Sequence, residues 1–413
     1  MAFDGMGNIL ITGTFFGTLD MKGACSALTS TGDSDAFMAK LDATGNCLWV
    51  RQFGDALAQQ GVFIAVDSFG DIFLGARFFG IIDFGGGPRV ATGGRDAAFA
   101  KFTSDGVYLW DRSVGASGDE GIDAILPDGA GHILVVGYSS SPSVAWGGSQ
   151  LPGKGGTDVV LAAFGANGNH LWSKRFGSPG DDRAFSAKLD PTDNLVLAGT
   201  YLGPIDFGGG ALPNNGQGHL FVAKFDQTGQ HIWSNGFNSV GGYEVFGGGM
   251  TLDTAGAIIV TGISTSTALS FGGPELAGDG SQDAFLVKFD ATGSFLWARR
   301  FGDGDEQLGI AVATDGAQNV IFAGRFRGAM AVGAETLVSS GDLDAFVAKL
   351  DSSGAAIWAR RFGDGTEQAA SRVLIKPGGE ILWSGWFAGS GDWGDGVVTS
   401  TGGFDMFLVE LAP

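Results

Sequence analysis

Acidic side chains recur at one place in this sequence, a few residues after each of several evenly spaced tryptophans. Carboxylate oxygens are the ligands that hard cations such as Ca²⁺ prefer, and clustered acids also attract cationic groups. Gly-Asp pairs make ordinary turns as well, so a purely structural interpretation stays open. The candidate ligand-binding or cation-binding residues, with Ca²⁺ as the ion they would hold, are Asp55, Asp119, Glu120, Asp181, Asp182, Glu244, Asp303, Asp305, Glu306, Asp364 and Glu367.

The sequence lacks the motifs that identify common enzymes. The four histidines have no H-E-x-x-H spacing, and no G-x-S-x-G nucleophile motif occurs. The segment from Gly148 to Lys154 matches a phosphate-binding loop until Gly155 replaces the required Ser or Thr. We therefore assign no catalytic residue from the sequence.

The acids belong to a long internal repeat whose phase is set by tryptophan. Short apolar runs ending in glycine, such as NILITG and HILVVG, occur in the same phase, and a segment of the type D-A-F-V-x-K occurs seven times with His219 replacing its Asp once. The in-phase tryptophans, 61 to 64 residues apart, are Trp49, Trp110, Trp172, Trp233, Trp297 and Trp358.

Each repeat of about 62 residues contains four short runs rich in Val, Ile, Phe and Leu, separated by Gly, Asp, Asn and Ser. No window sustains helical periodicity. The pattern predicts an all-β, seven-bladed β-propeller with four-stranded antiparallel blades, forming a single domain over residues 1–413. We expect the tryptophans to pack between blades, and the repeated Asp and Lys of the third run to be part of blade construction.

The repeat also predicts where the acids and the chain termini lie. The acid-bearing loops lead into the next innermost strand, so we expect them to surround one mouth of a central channel. The chain begins inside an innermost strand and ends with a third strand, which predicts a last blade lacking its outer strand. We expect either upstream sequence resembling LWxRxFGD or a three-stranded last blade.

Charge and composition exclude several classes of partner. The formal net charge of −20 without a basic run argues against a nucleic-acid ligand. No stretch approaches the roughly 20 apolar residues that span a bilayer. Cys25 and Cys47 are too few for a disulfide framework and are either free thiols or one bridge.

The repeats resemble the bacterial SBBP family of β-propeller repeats, through FDGMGNILITG from Phe3 to Gly13 and DAFMAK from Asp35 to Lys40. The resemblance covers essentially the whole chain. It implies a propeller in a secreted or cell-surface protein, and it implies no activity.

Near-identical repeats favour recognition over catalysis, because catalysis needs one asymmetric group of residues. The leading hypothesis is a non-enzymatic recognition or scaffold propeller binding a protein or carbohydrate on a loop face, with Trp146, Trp386 and Trp393 as aromatic contacts or packing residues. The alternatives are a glycan hydrolase or lyase using carboxylates from different blades, and a structural surface protein without a ligand. The departures that would favour an enzyme, Gly242–Glu244 and His219, fall near one repeat.

Overall fold

The computed structural model describes residues 1–21, 23–215, 217–237, 239–240, 248–278, 281–302, 304–394 and 396–413. Within these residues the chain forms 40 strands and no helix. The main strands make seven small antiparallel sheets arranged as a seven-bladed β-propeller, so the predicted fold class is confirmed. No helix long and apolar enough to cross a membrane occurs in the described part of the chain.

Each of the first three blades has four main strands and a short hairpin between its second and third strands. Blade 1 contains β1 (Ala2–Phe3), β2 (Ile9–Phe15), the hairpin β3 (Thr18–Leu19) and β4 (Leu28–Thr29), β5 (Asp35–Leu41) and β6 (Cys47–Phe53). Blade 2 contains β7 (Gln59–Val66), β8 (Ile72–Phe78), the hairpin β9 (Ile81–Ile82) and β10 (Arg89–Val90), β11 (Asp96–Phe102) and β12 (Tyr108–Val114). Blade 3 contains β13 (Glu120–Pro127), β14 (Ile133–Ser139), the hairpin β15 (Ser143–Ala145) and β16 (Gln150–Pro152), β17 (Asp158–Phe164) and β18 (His170–Phe176).

The next three blades repeat this order with small variations. Blade 4 contains β19 (Arg183–Leu189), β20 (Leu195–Tyr201), β21 (His219–Phe225) and β22 (His231–Phe237). Blade 5 contains β23 (Ser239–Val240), β24 (Met250–Leu252), β25 (Ile258–Ser264), β26 (Ala268–Leu269), β27 (Leu276–Ala277), β28 (Asp283–Phe289) and β29 (Phe295–Phe301). Strand β23 pairs with β26, the first strand of the hairpin β26–β27. Blade 6 contains β30 (Gln307–Thr314), β31 (Val320–Phe326), the hairpin β32 (Ala329–Val332) and β33 (Glu335–Val338), β34 (Asp344–Leu350) and β35 (Ala356–Phe362).

The last blade has three main strands, as predicted. Blade 7 contains β36 (Gln368–Ile375), β37 (Ile381–Phe387), the hairpin β38 (Ser390–Asp392) and β39 (Val397–Thr399), and β40 (Asp405–Leu411). The expectation of upstream sequence that supplies a further strand stays a prediction.

The chain divides into two compact units, one of Met1–Leu189, Ile205–Gly210 and Phe225–His231, the other of Asp190–Pro204, Ala211–Lys224 and Ile232–Pro413. Blades 1 to 3 lie in the first unit and blades 5 to 7 in the second, while the strands of blade 4 are shared between them. The prediction of a single domain over residues 1–413 stays a prediction.

The repeat signature encodes contacts between successive blades. In the outer strands of blades 1, 2, 3, 5 and 6 the tryptophan follows a β-bulge. In blades 1 to 5 its indole lies on the glycine turn between the third and fourth strands of the next blade. The Nε1 atoms of Trp110 and Trp297 donate to the carbonyl oxygens of Ala166 and Ser352, both at 3.0 Å. The predicted packing of tryptophan between blades is confirmed and includes a hydrogen bond.

The repeated lysines of the third strands form ion pairs with the aspartate that starts the turn between the first two strands. Burial on both faces makes the third strand apolar, and the lysine side chain reaches its end to meet the carboxylate. The expected structural role of this lysine is confirmed by the pairs Lys40–Asp4 at 2.9 Å, Lys101–Asp67 at 3.1 Å, Lys224–Asp190 at 2.7 Å, Lys288–Asp253 at 2.9 Å and Lys349–Asp315 at 3.0 Å.

Cys25 and Cys47 form a disulfide, which decides between the two states that the sequence left open. The bridge connects the loop between β3 and β4 to the first residue of the outer strand β6.

Candidate functional site

The candidate acids of the loops that follow the outer strands bind backbone amides. The Asp55 carboxylate accepts hydrogen bonds from the amides of Leu57 at 2.8 Å and Ile81 at 2.8 Å. Asp119 and Asp181 each accept one amide of a connection between second and third strands, at 2.8 Å, from Arg95 and Thr157. These carboxylates therefore tie one loop to another.

Asp364 shows the same arrangement in full. Its carboxylate accepts hydrogen bonds from the Thr366 amide and hydroxyl at 2.8 and 2.7 Å, from the Gln368 side chain at 2.8 Å and from the Ser390 amide at 2.9 Å. Burial raises the pKa of Asp364, but these hydrogen bonds outweigh it and the pKa is lowered. The side chain is fully engaged in holding its loop.

Glu120 and Asp182 are completely buried and occupy the position held by Gln59, Gln307 and Gln368 in other repeats. Each closes its loop by accepting an amide four residues earlier, Ala116 for Glu120 at 2.8 Å and Ser178 for Asp182 at 2.5 Å. A glutamine here also donates to a backbone carbonyl, which glutamate cannot do. Blade 3 instead supplies the Ser139 and Ser141 hydroxyls, which both donate to Glu120 at 2.7 Å.

The remaining candidate acids are Asp305, Glu306, Glu367, Glu244 and Asp303. Asp342, hydrogen-bonded to Arg327, raises the pKa of that guanidinium, and Glu306 and Asp305 add to the effect. Glu367 accepts the Ala388 amide through its backbone carbonyl at 2.9 Å. Glu244 and Asp303 lie outside the described residues.

Among the residues that the structure describes, no group of three or more His, Cys, Asp or Glu side chains is arranged to hold a metal ion. The described acids Asp55, Asp119, Asp181 and Asp364 instead form separate loop ties, that is, hydrogen bonds from the carboxylate of one loop to a backbone amide of another connection. Binding of a ligand or of Ca²⁺ by them stays a prediction.

The recurring aspartate at the start of the third strand is structural, as expected from its regularity. In three blades its carboxylate is buried and pairs with an arginine of the outer strand, three residues after the tryptophan. These pairs are Asp158–Arg175 at 2.7 Å, Asp283–Arg300 at 2.5 Å and Asp344–Arg361 at 2.6 Å.

Blade 4 replaces both members of this ion pair, with His219 for the aspartate and Gly236 for the arginine. His219 is completely buried, bonds Asn215 Oδ1 through Nε2 at 2.7 Å and packs beside Tyr201. The Tyr201 hydroxyl donates to the Pro213 carbonyl at 2.6 Å and lies 2.3 Å from where a Cβ on Gly236 would stand. A tyrosine and a histidine thus replace the buried ion pair, and only glycine fits at position 236.

A groove of about 570 Å³ lies beside this replacement. Because position 236 carries no side chain, the arginine that covers this region in blades 3, 5 and 6 has no counterpart here. None of the described lining residues is charged. We call this the blade 4 groove; it is lined by Leu212, Ser234, Asn235, Phe237, Ser270 and Phe295, together with neighbouring residues.

A second asymmetric cluster was not found from the sequence. Asp123 stands at a β-bulge of β13, and its Oδ1 accepts hydrogen bonds from Arg77 at 3.1 Å and Arg183 at 2.9 Å. Both guanidinium groups lie against the Tyr138 ring, at 5.2 and 4.1 Å from its centroid. Burial raises the pKa of Asp123, and the two arginines oppose this effect.

These four residues are far apart in sequence and belong to no motif. The sequence signal was partial, because Arg77 recurs as Arg325 in blade 6. Asp123 does depart from its repeat, since the bulge position is Val62, Ile310 or Ser371 in other blades.

The tryptophans of the outer connections have different environments. Trp146 is completely buried and Trp393 is 9% exposed, so both are packing residues. Trp386 is half-buried and lies between the Arg325 guanidinium, at 5.8 Å, and the exposed ring of Phe404, at 4.7 Å. Only Trp386 stays a candidate for contact with a ligand.

No family model matches the chain. The uncharacterized WD repeat-containing protein L264 of Acanthamoeba polyphaga mimivirus is 22% identical over 89% of this chain and 32% of that protein. The regulatory protein FlaEY of Caulobacter vibrioides is 24% identical over 85% of this chain and 39% of that protein. The chain thus spans about a third of the length of the curated relatives that it matches.

Solved structures are similar at a low level. Sqt1 from Chaetomium thermophilum is 10% identical with a TM-score of 0.41, covering 93% of this chain and 78% of that one. The NanB sialidase of Streptococcus pneumoniae is 11% identical with a TM-score of 0.41, covering 92% and 63%. The polysaccharide lyase Uly1 is 10% identical with a TM-score of 0.43, covering 91% and 85%. These similarities leave the function undecided.

Proposed function

We propose that this chain is a non-enzymatic recognition propeller that binds a neutral, apolar peptide segment of a protein partner in the blade 4 groove. The observation that carries the proposal is the groove itself, which lies where one repeat has lost the buried ion pair of its neighbours. Binding pockets of this size are typically lined by apolar and aromatic side chains with a few polar groups that fix orientation.

The chemistry of the groove favours a neutral occupant. Phe295 is half-buried and lies in the lining with the buried Phe237, and Ser234, Asn235 and Ser270 are its polar but uncharged side chains. The chain as a whole has a net charge of −20, but none of the described residues that line the groove is charged. A segment with apolar side chains would bury them there and leave its charged neighbours outside.

Two further observations support recognition over catalysis. The repeated acids and lysines are engaged in loop ties and ion pairs that build the blades. One relative is named as a WD repeat-containing protein and another as a regulatory protein, which is consistent with a protein partner and does not suggest a reaction.

We further propose that the repeats belong to the SBBP type and that the protein works in an oxidising compartment, secreted or at the cell surface. The support is the repeat signature together with the Cys25–Cys47 disulfide, since disulfides persist where thiols are not kept reduced.

The test is peptide selection with a matched pair of variants. A phage-displayed peptide library is selected on the immobilised protein, and the affinities of enriched peptides are measured by calorimetry. Asn235→Arg introduces the cation that most other repeats carry two residues after tryptophan, so the blade should fold while the groove gains a charge. Lys174→Asn makes the reverse change in blade 3 and serves as the control.

We expect enriched peptides to be neutral and apolar and to bind Asn235→Arg about tenfold more weakly or worse, because the variant places a larger and charged side chain in the lining of the groove. Lys174→Asn should bind them as the wild type does. Failure to enrich any sequence, or equal binding to Asn235→Arg, would contradict the proposal.

A glycan hydrolase or lyase is the second candidate, and the observation that favours it is the convergence of Asp123, Arg77, Arg183 and Tyr138 from three blades. Incubation with a uronate-containing polysaccharide tests it. New reducing ends or unsaturated uronate absorbance, lost in Asp123→Asn, would favour catalysis, and intact polysaccharide would favour recognition.

A further inference from the structure

The cluster around Asp123 brings two arginines onto one carboxylate oxygen. Arg77 and Arg183 reach Asp123 Oδ1 from strands 46 and 60 residues away in sequence, and Arg77 also donates to the Ile122 carbonyl at 3.1 Å. Within the described part of the chain, Asp123 Oδ2 and Arg77 Nε are buried without a hydrogen-bond partner. Among the described residues, Arg77 Nε is a donor without an acceptor, which an anion would supply, whereas Asp123 Oδ2 is an acceptor without a donor, which an anion would not supply.

Blade construction does not require Asp123 or Arg183, whereas the contact of Arg77 with the Tyr138 ring recurs as Arg325 on Trp386. The position of Arg183 is Gln60, Gly121, Leu308 or Ala369 in other innermost strands, and none of these could replace a guanidinium. In blades 3, 5 and 6 the structural arginines pair one to one with an aspartate of their own blade. The cluster instead crosses blades and has two cations for one anion.

Two guanidinium groups share one carboxylate oxygen, so one of the two cations has no anion of its own in the cluster. A carboxylate of a buried ion pair stabilises its partner only when the charges and hydrogen bonds are matched, and an excess buried cation is unfavourable. Burial lowers the pKa of Arg77, and the nearby Arg183 and Arg95 act in the same direction. The side chain of Arg183 is 42% exposed, so one face of the cluster is open to a ligand.

We propose that Arg183, supported by Arg77 and Tyr138, forms a binding site for an oxyanion, a carboxylate or phosphate group of a ligand. Guanidinium groups bind such anions through paired charge-assisted hydrogen bonds, and the Tyr138 ring holds both arginines by cation–π contact. Asp123 fixes the two guanidinium groups and competes with the ligand for them. The site would be an electropositive spot in a chain of net charge −20.

The test uses the full-length chain and two simple probes, inorganic phosphate and acetate, against sodium chloride at matched ionic strength. Binding is followed by calorimetry and by the melting temperature. We expect saturable binding of phosphate, acetate or both, about tenfold weaker in Arg183→Gln, since a hydrogen bond to a charged group is lost. Which of the two anions binds more tightly identifies the oxyanion.

Arg183→Gln could bind more weakly only because it is unstable. Asp123→Asn is therefore tested as well, since it should change anion binding in the opposite direction. Removing the competing carboxylate should tighten anion binding and enlarge the rise in melting temperature. Arg89→Gln, which breaks the Arg89–Asp111 pair in blade 2, is the charge-matched control and should bind as the wild type. Absence of saturable binding, equal binding by Arg183→Gln, or weaker binding by Asp123→Asn would overturn the proposal.

Discussion

The contact between tryptophan and the glycine of the following blade can be tested with two matched glycine substitutions. Gly45 and Gly354 occupy the same turn in different blades, with φ of 90° and 79°. A Cβ on Gly45 would meet nothing within 4 Å, whereas a Cβ on Gly354 would stand 2.9 Å from Cε3 of Trp297. The pair therefore separates the cost of the backbone conformation from the cost of the tryptophan contact.

Both substitutions to alanine place an L-residue in the left-handed region, which costs about 1 kcal/mol. In Gly354→Ala the indole must also move, but Trp297 Nε1 is held by the Ser352 carbonyl at 3.0 Å. Overpacking of this kind costs about 1–3 kcal/mol, so we expect a loss of about 2–4 kcal/mol for Gly354→Ala and about 1 kcal/mol for Gly45→Ala.

The measurement is urea unfolding of the two variants and the wild type, followed by circular dichroism. A lower midpoint for Gly354→Ala than for Gly45→Ala is the expected result. Equal midpoints would show that the contact between Trp297 and Gly354 contributes nothing to stability. They would contradict the interpretation that the in-phase tryptophans stabilise the packing of successive blades.

Three further predictions concern the loops, the disulfide and the ion pairs. Asp364→Ala should lower the free energy of unfolding by about 1–3 kcal/mol, equally with calcium and with a chelator, because the carboxylate binds protein donors; a loss seen only with calcium would contradict this. Cys25→Ser should cost about 3 kcal/mol in chemical denaturation, since the bridge to Cys47 spans 22 residues; an unchanged midpoint would refute it. Burial raises the pKa of Asp4, but hydrogen bonds from Lys40 and Asn8 outweigh it and lower the pKa to about 2. Its stabilisation is therefore complete above the unfolded value of about 3.9 and lost as pH falls toward 2, so midpoints measured across this range should fall less in Asp4→Asn than in the wild type.

The architecture was predictable because one sequence pattern is written seven times. Each repeat has the same alternation of strand and turn, so a strand that is ambiguous in one repeat can be assigned from the other repeats. Trp297 and Gly354 illustrate this: their spacing follows the repeat, and their contact follows from stacking one blade on the next. The structural roles of the third-strand aspartate and lysine followed from the same regularity.

The candidate acids show where the repeat was less informative. Glu120 and Asp182 look like surface acids in sequence, whereas the structure buries them at the loop-closing position that Gln59 occupies in blade 2. Their burial follows from that repeat position, which local composition does not reveal.

The asymmetric features were beyond prediction for a different reason. Arg77, Asp123 and Arg183 come from three blades, and a sequence without a motif does not say which of 24 cationic residues meets a given acid. The blade 4 groove depends on a missing side chain at Gly236 and on Tyr201 taking its place. His219 marked the correct blade, but only the packing around it places a groove there.

The location of the bound peptide tests the proposed function most directly. A peptide enriched on the wild-type protein is synthesised with a photo-crosslinking residue, irradiated in complex, and its attachment sites are mapped by mass spectrometry. We predict attachment within residues 212–213, 234–237 and 270–272, and its loss in Asn235→Arg. Attachment instead to the acid-bearing loops near Asp55, Asp119 or Asp181 would place recognition there and contradict the blade 4 groove as the binding site.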